Sequence, residues 1–315
     1  MVPAEPVIAL PVFVLAAALL IDRCIGDPHS RLHPVALLGR FIAWWGKPGL
    51  YTPGLQRAAG VFFWFVTVSV FAIPVFLFWT FTPWYLYLLI APFLLKCCFA
   101  WRSLEEHTLA VITALQQGTE AGRERVKMLV SRDTTDLSND HILSAAYESL
   151  TENLTDSIVS PVFYYSLFGI AGAAVYRAAN TLDAMLGYRD ERERLGWWSA
   201  RMDDLLNFIP ARITVLFLFV YFAFRGRLTP SYRMMLRDKN RRPGYNGGIV
   251  MAVMAGGAGV RFEKPGVYTI GDGEFSLEEG GREILSAVRA VTLMAAITAA
   301  CTLILLGTWI NSMGI

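Results

Sequence analysis

The stretch AVTLMAAITAACTLILLGTWI, residues 290–310, runs 21 residues without a charge. At 1.5 Å per residue a helix of that length is about 30 Å long, the thickness of a bilayer's hydrocarbon core. Outward from it, similar apolar stretches recur at about 58–80, 84–101, 158–176 and 205–224, and a shorter one runs from Val7 to Ile21. The composition agrees: 55% of the 315 residues are hydrophobic and 17% charged, with mean hydropathy +0.44. Soluble domains carry charge on about a quarter of their residues. The chain reads as an all-α polytopic membrane protein with about four to six transmembrane helices, forming a single integral membrane domain over 1–315. A formal net charge of +2 with no long basic tract speaks against a nucleic-acid partner. The partner it implies is the lipid bilayer.

Several stretches are interrupted. Pro11, Pro74 and Pro161 fall inside apolar runs, and Gly169 and Gly172 follow Pro161. Such segments kink or re-enter. The linker 225–289 holds eleven of the 28 Lys and Arg, seven of them between Arg225 and Arg242, so it reads as a basic cytoplasmic linker. Strict alternation would send 177–204 outside with Arg177, Arg189, Arg192, Arg194 and Arg201, against the positive-inside tendency. The expectation is therefore that 158–176 and the first part of 205–224 do not both span, but dip in and return or pack as buried or membrane-surface helices. Residues 102–157 read as a mainly helical cytoplasmic insertion, and 261–282, with Val267, Tyr268 and Thr269 among glycines, as a short β-hairpin. The first stretch has no Lys or Arg before it and reads as a retained membrane helix rather than a signal peptide. Cys24, Cys97, Cys98 and Cys301 lack the spacing of a zinc knuckle or redox dithiol.

The densest polar constellation begins at Ser131-Arg132-Asp133-Thr134 and continues from Tyr147 to Asp156. On a helix Glu148, Glu152 and Asp156 recur every four residues and stack on one face, with Ser149 and Asn153 beside them. No Lys or Arg lies within that face, so the ladder calls for a cation, most simply a divalent metal. A second constellation holds Arg177, Asn180, Thr181 and Asp183, and a third Arg201, Asp203, Asp204, Asn207 and Arg212. Arginine recognises phosphate or carboxylate bidentately, and Asp with Asn can hold a magnesium ion on phosphates, so together these suggest a polyphosphate site. Intramolecular Arg–Asp pairing is the alternative for any one pair.

Near the N-terminus Asp27, His29 and His33 stand among Pro28 and Pro34, which favour a loop over a helical metal site. A carboxylate beside a neutral imidazole suits proton transfer. In the basic linker, Asn240 to Gly248 is glycine-rich, and its backbone could approach a phosphate, although it lacks a Walker spacing.

Five of these pieces resemble, in order, the adenosylcobinamide-phosphate synthases, the CobD/CbiB membrane proteins of cobalamin biosynthesis. They are GDPHSRLHPV at 26–35, VSRDT at 130–134, ESLTENLTDSIVSP at 148–161, YRAANTLDAMLGY at 176–188 and SARMDDLLNFIPAR at 199–212. MAGGAGVRFEKPGVY at 254–268 is similar to the family's C-terminal region. Where the family has a Ser-Pro-Asn-type motif, this chain reads Pro243-Gly244-Tyr245-Asn246-Gly247.

The resemblance implies an ATP-dependent amide-forming ligase with its active site on the cytoplasmic face of the cell membrane. It would join aminopropanol phosphate, or a related amino-alcohol phosphate, to adenosylcobyric acid through an acyl phosphate. ATP and magnesium would be required, the corrinoid would be substrate rather than prosthetic group, and other cobalamin-pathway enzymes would be partners. On this reading Glu148, Glu152, Asp156, Asp203 and Asp204 are metal ligands, with Glu148 and Glu152 also catalytic. Arg132, Arg177, Arg201, Arg212 and Asn180 bind ATP or phosphate. Asp27 or His33 takes the proton from the attacking ammonium, and Asp133, Asn153, Thr181, Asp183 and Asn246 contact substrate. The rival is a transporter for a corrinoid or another anionic solute, which mid-helix charges would favour; Lys96 is the chief such charge outside the motifs.

Overall fold

The computed structural model describes residues 4–27 and 33–313, with side chains described for 9–27, 33–309 and 311–313. In chain order the elements are α1 (Ala4–Cys24), α2 (Pro34–Trp45), α3 (Gln56–Phe81), α4 (Trp84–Lys96), α5 (Trp101–Gln117), α6 (Thr119–Val126), α7 (Asn139–Leu154), α8 (Ser160–Leu186), α9 (Glu193–Leu206), α10 (Phe208–Phe224), α11 (Leu228–Asp238), α12 (Gly247–Ala258), β1 (Phe262–Lys264), β2 (Tyr268–Ile270) and α13 (Leu277–Ser312). The fold is all-α apart from one antiparallel hairpin, which pairs Phe262 with Ile270 and Lys264 with Tyr268, inside the span where a hairpin was expected.

Four helical stretches among the described residues are long and apolar enough to cross a membrane: Gln56–Phe81, Trp84–Gln117, Asn139–Leu186 and Leu277–Trp309. A fifth arises if α9 and α10, bent by 42°, count as one broken span. On α3, Phe62, Phe65, Ile73, Phe76 and Trp79 are exposed. A row of large apolar side chains this dense is what a lipid-facing surface needs and a water-facing one avoids.

The chain parts into two compact units where composition alone reads as one domain. The first comprises Met1–Ala100, Ser160–Leu206 and Ala295–Ile315; the second comprises Trp101–Val159 and Asn207–Met294. In the first, two apolar clusters form, one around Val14, Leu95, Tyr165 and Ile170 and one around Ile42, Trp64, Leu182 and Leu195. Between helices in lipid, packing and hydrogen bonds replace the aqueous hydrophobic drive. Accordingly Trp45 donates its indole N–H to Thr67 Oγ1 at 3.2 Å, and Tyr165 donates to the Pro11 carbonyl at 2.8 Å. Gly60 lies directly against the Leu195 carbonyl and Gly196 against the Leu186 carbonyl, with no space for a Cβ at either.

The interrupted segment around Pro161 has two features. A π-helical turn, Thr155–Val159, immediately precedes Pro161, whose missing N–H and bulky ring disrupt regular α-helical bonding there. Further on, Gly169 takes φ 63°, ψ −161°, a region open only to glycine, and α8 folds back on itself there. Gly172 then packs against the Tyr164 carbonyl, 2.7 Å from where a Cβ would stand, and the Tyr164 and Tyr176 rings stack at 5.2 Å. Residues 12 apart on a straight helix would be about 18 Å apart. The segment thus forms a helical hairpin. Gly169→Ala should cost about 1–3 kcal/mol in a chemical-denaturation measurement, because the turn has no L-residue solution. An unchanged midpoint would mean the reversal can relocate.

In the second unit, α5, α6 and α7 enclose a core of Val111, Val126, Ile142, Ala145 and Ala146. Each larger aliphatic side chain there contributes about 1.5–3 kcal/mol of burial. α12 is apolar all round and wholly enclosed except in its first turn; Gly256 lies against Pro230 and Gly257 against the Phe222 ring, so α10 and α11 approach it closely. Fully buried Asp238, at the end of α11, accepts from Arg237 and from the Gly271 N–H at 2.9 Å and pairs with Arg241, which ties the hairpin to α11.

Burial opposes the Asp238 carboxylate's charge, but Arg237, the Gly271 N–H and Arg241 outweigh it and hold its pKa below 3.8. Its stabilisation is therefore fully present above about pH 4 and lost as pH falls through the lower folded value. Asp238→Asn should lower the neutral-pH unfolding midpoint and flatten its decline below pH 4. An acid limb identical to that of the parent would show that Asp238 does not drive it.

Candidate functional site

In the second unit the polar face of α7 forms the centre. Ser138 caps the helix by accepting from the His141 N–H at 3.3 Å, and Asp140 stands in the first turn, where the helix dipole favours an anion. Arg132, just upstream, sets its Nη2 3.3 Å from Glu148 Oε2. Glu148, only 5% exposed, also accepts from Ser144 Oγ at 2.5 Å and from the Tyr268 hydroxyl at 2.6 Å. Ser144 Oγ in turn accepts from the Glu263 N–H of β1 at 2.7 Å, so the β-hairpin is fastened to α7 through one hydroxyl. Burial, with Glu148 beside it, raises the Tyr268 phenol pKa, and the phenol stays a donor.

One turn on, Glu152 accepts from Arg242. Burial works against the Arg242 charge, but Glu152, with the phenol of Tyr268 and Asp156 behind it, holds its pKa above the ordinary value. The acid ladder is therefore neutralised by arginine from two loops, one just upstream and one 90 residues away. Among the described residues no group of three or more His, Cys, Asp or Glu side chains is arranged to hold a metal ion. Glu148 is filled by one serine, one tyrosine and one arginine, and Asp156 sits in the π-turn where the four-residue repeat ends. These carboxylates do not fit a metal cage built by the protein alone.

Other predicted residues of this unit serve local structure. Asp133 accepts from the Thr135 N–H and hydroxyl, a turn that, through the Thr135 hydroxyl first, lowers its pKa. Asn153 donates to the Ser149 carbonyl at 2.9 Å. Arg212 donates to Asn246 Oδ1 at 2.6 Å and to the Tyr245 carbonyl at 3.3 Å, and so holds the loop that departs from the family motif. Gly247 lies against the Arg242 guanidinium and Gly248 against the Lys239 carbonyl. The close approach expected of these glycines is thus made to the chain's own groups.

The first unit gathers the remaining predicted residues. Lys96, 2% exposed, pairs with Asp27 and, at 3.6 Å, with fully buried Asp22. It is the last residue of α4 and lies inside the candidate span Trp84–Gln117. His33 caps α2 by accepting the Val35 N–H on Nδ1 at 3.3 Å, which leaves Nε2 as the protonated nitrogen, 3.8 Å from Asp27. Burial lowers the His33 pKa against the pull of Asp27, and Lys96 and Arg177 push the same way as burial. His29 lies outside the described residues.

Asn180 donates to Asp203 at 3.2 Å, and Thr181 to the Arg177 carbonyl at 2.7 Å. The Gly187 N–H bonds the Asp183 carbonyl at 2.7 Å. Asp203 and Asp204 are half-buried on α9, and Arg201 is exposed. The structure thus joins Arg132, Glu148, Glu152, Asp156, Arg212 and Asn246 to the second unit, and Asp27, His33, Arg177, Asn180, Asp183, Arg201, Asp203 and Asp204 to the first. Sequence reasoning missed Asp22, Ser144 and Arg242 as site residues. For Asp22 the signal was an ionisable group at the end of an apolar run and for Arg242 its place among the arginines of the basic linker, while nothing marked Ser144.

The family described as CobD/Cbib protein matches residues 15–304. This chain belongs to it. A relative from Methanothermobacter thermautotrophicus, "Probable cobalamin biosynthesis protein CobD", is 41% identical over 284 residues, covering 90% of this chain and 93% of its own. One of the same description from Thermococcus kodakarensis is 45% identical over 262 residues, 82% of this chain and 84% of its own. "Cobalamin biosynthesis protein CobD" of Dehalococcoides mccartyi is 36% identical over 273 residues, 84% of this chain and 87% of its own. No solved structure matches the chain. The family match spans all five motifs, so their order reflects common descent.

Proposed function

We propose that the chain acts in cobalamin biosynthesis as an ATP-dependent amide ligase joining aminopropanol phosphate, or a related amino-alcohol phosphate, to adenosylcobyric acid. Family membership supports the pathway, since the relatives are named for it. The observation that carries the chemistry is Arg132: one Nη meets Glu148, while Nη1 is buried with no hydrogen-bond partner among the described residues. A fixed guanidinium with a spare buried donor suits an incoming phosphate oxygen.

A carboxylate is a poor electrophile. In this reading a propionate oxygen of the corrinoid attacks the γ-phosphorus of ATP and expels ADP. The amine then attacks the acyl carbon, the C–N bond forms, inorganic phosphate leaves, and the ammonium proton passes to a base. Arg132 and Arg242 offset the phosphate charge. Magnesium enters as part of the MgATP substrate, consistent with a metal that keeps few protein ligands and binds through phosphates. ATP is a cytoplasmic solute, so the site is assigned to that face of the cell membrane.

The test is detergent-purified protein with adenosylcobyric acid, aminopropanol phosphate, magnesium and ATP, read by mass spectrometry for the amide and by nucleotide hydrolysis. Product that needs all four components is expected. Corrinoid binding without product would overturn the ligase reading. It would favour transport, for which the buried Asp22–Lys96 pair at the ends of apolar helices is the supporting observation.

A further inference from the structure

Helix α11 begins four residues after α10, the apolar half of the bent pair, ends. One face of α11, Ser231, Met234 and Asp238, is buried. Ser231 Oγ donates to the Val253 carbonyl of α12 at 2.7 Å, which fixes that face inward. The opposite face carries Leu228, Tyr232 and Leu236, spaced by four so that they form one stripe, and all three are exposed. Phe224, at the end of α10, is 88% exposed, and the Tyr232 ring meets Phe219 of α10 at 6.1 Å. Arg233 and Lys239, both exposed, flank the stripe and make no ion pair among the described residues. The other five basic residues from Arg225 to Arg242 are paired with Glu283, Glu274, Asp238 and Asp272, and Glu152.

We infer that α11 is an interfacial helix whose exposed face docks on an anionic lipid leaflet, with Leu228, Tyr232 and Leu236 in the acyl boundary and Arg233 and Lys239 on lipid phosphates. Charge complementarity selects the occupant. Within 225–242 the one acidic residue is Asp238, already committed to arginines, and the exposed Asp272 and Glu274 near Arg233 are paired with Arg237 and Arg227, so Arg233 and Lys239 leave a net positive charge beside the stripe. An amphipathic helix with an aromatic at its edge and long basic side chains beside it suits the headgroup layer, where apolar bodies sink and charged heads reach outward. The paired arginines are satisfied without lipid, which leaves Arg233 and Lys239 as the contacts that sense headgroup charge. The helix leads through Lys239 into the loop that carries Arg242, so lipid contact would also steady that loop. This inference does not depend on the ligase reading.

The experiment is hydrogen–deuterium exchange of full-length protein in nanodiscs of phosphatidylcholine and of phosphatidylglycerol. Exchange across 228–238 is expected to be roughly tenfold slower in the anionic discs, from two basic residues near a negative surface. Arg233→Gln with Lys239→Gln should abolish that difference while protection of α12 stays unchanged. Leu236→Gln should speed exchange of α11 in both lipids. Equal exchange of the parent protein in both discs would overturn the inference, as would protection of α11 that rises with the number of protein copies per disc, which would make a second copy the occupant.

Discussion

Lys96→Met is expected to destabilise the protein by about 3–5 kcal/mol, the usual consequence of removing one partner of a buried pair. Lys96 stands between Asp22, which is fully buried, and Asp27, which is partly accessible. Water can rescue Asp27 but not Asp22, so the cost falls on the deeper carboxylate. In detergent the apparent melting temperature should drop on the order of 10 °C. Adding Asp22→Asn to Lys96→Met removes the carboxylate charge that Lys96 faced and should recover part of that loss, whereas Asp27→Asn should recover less. A Lys96→Met protein that melts with the parent would mean that the triad contributes nothing net.

Glu152→Gln separates function from fold. The Glu152–Arg242 pair is partly exposed, with the carboxylate side chain 37% accessible, so its contribution to stability is at most about 1 kcal/mol. Without the carboxylate, Arg242 loses the contact that aims it. Phosphate neutralisation by a well-placed donor is worth about 10²–10³ in turnover, and a loss of that order is expected in amide formation with the melting temperature almost unchanged. Arg242→Gln should match it, with both effects in kcat rather than KM. Turnover kept within a few-fold of the parent would remove Glu152 and Arg242 from the site.

Much of the fold was legible because its determinants are local. The charge-free run 290–310 falls inside α13, the four-residue spacing of Glu148 and Glu152 is a helix face, and the Gly-flanked Tyr268 segment is a strand. Pro161 and Gly169 announced an interruption. Its sharpness was hidden, because it depends on Gly172 meeting the Tyr164 carbonyl and on Tyr164 stacking with Tyr176. The polar face of α7 was legible as a face, but its partners were not. The ladder asked for a cation, and nothing in its own neighbourhood identified Arg242, 90 residues away, or the Tyr268 hydroxyl, 120 away. Lys96 read as an isolated charge inside an apolar run because the carboxylate that pairs with it is supplied by α1.

Gly60 and Gly196 bear on motion. Helix α9 is clasped at two successive residues, the Leu195 carbonyl against Gly60 of α3 and Gly196 against the Leu186 carbonyl closing α8, with backbone touching backbone at both places. Where backbones meet without intervening side chains there is no rotamer to yield, so rolling or sliding α9 would break contact at both points together. Asp203, two turns further along the same helix, is therefore carried on a part that moves with α3 and α8 as one body. The amides of α9 should open only on the slowest timescale the unit possesses, and adjustments around Asp203 fall to side chains rather than to the helix that bears it.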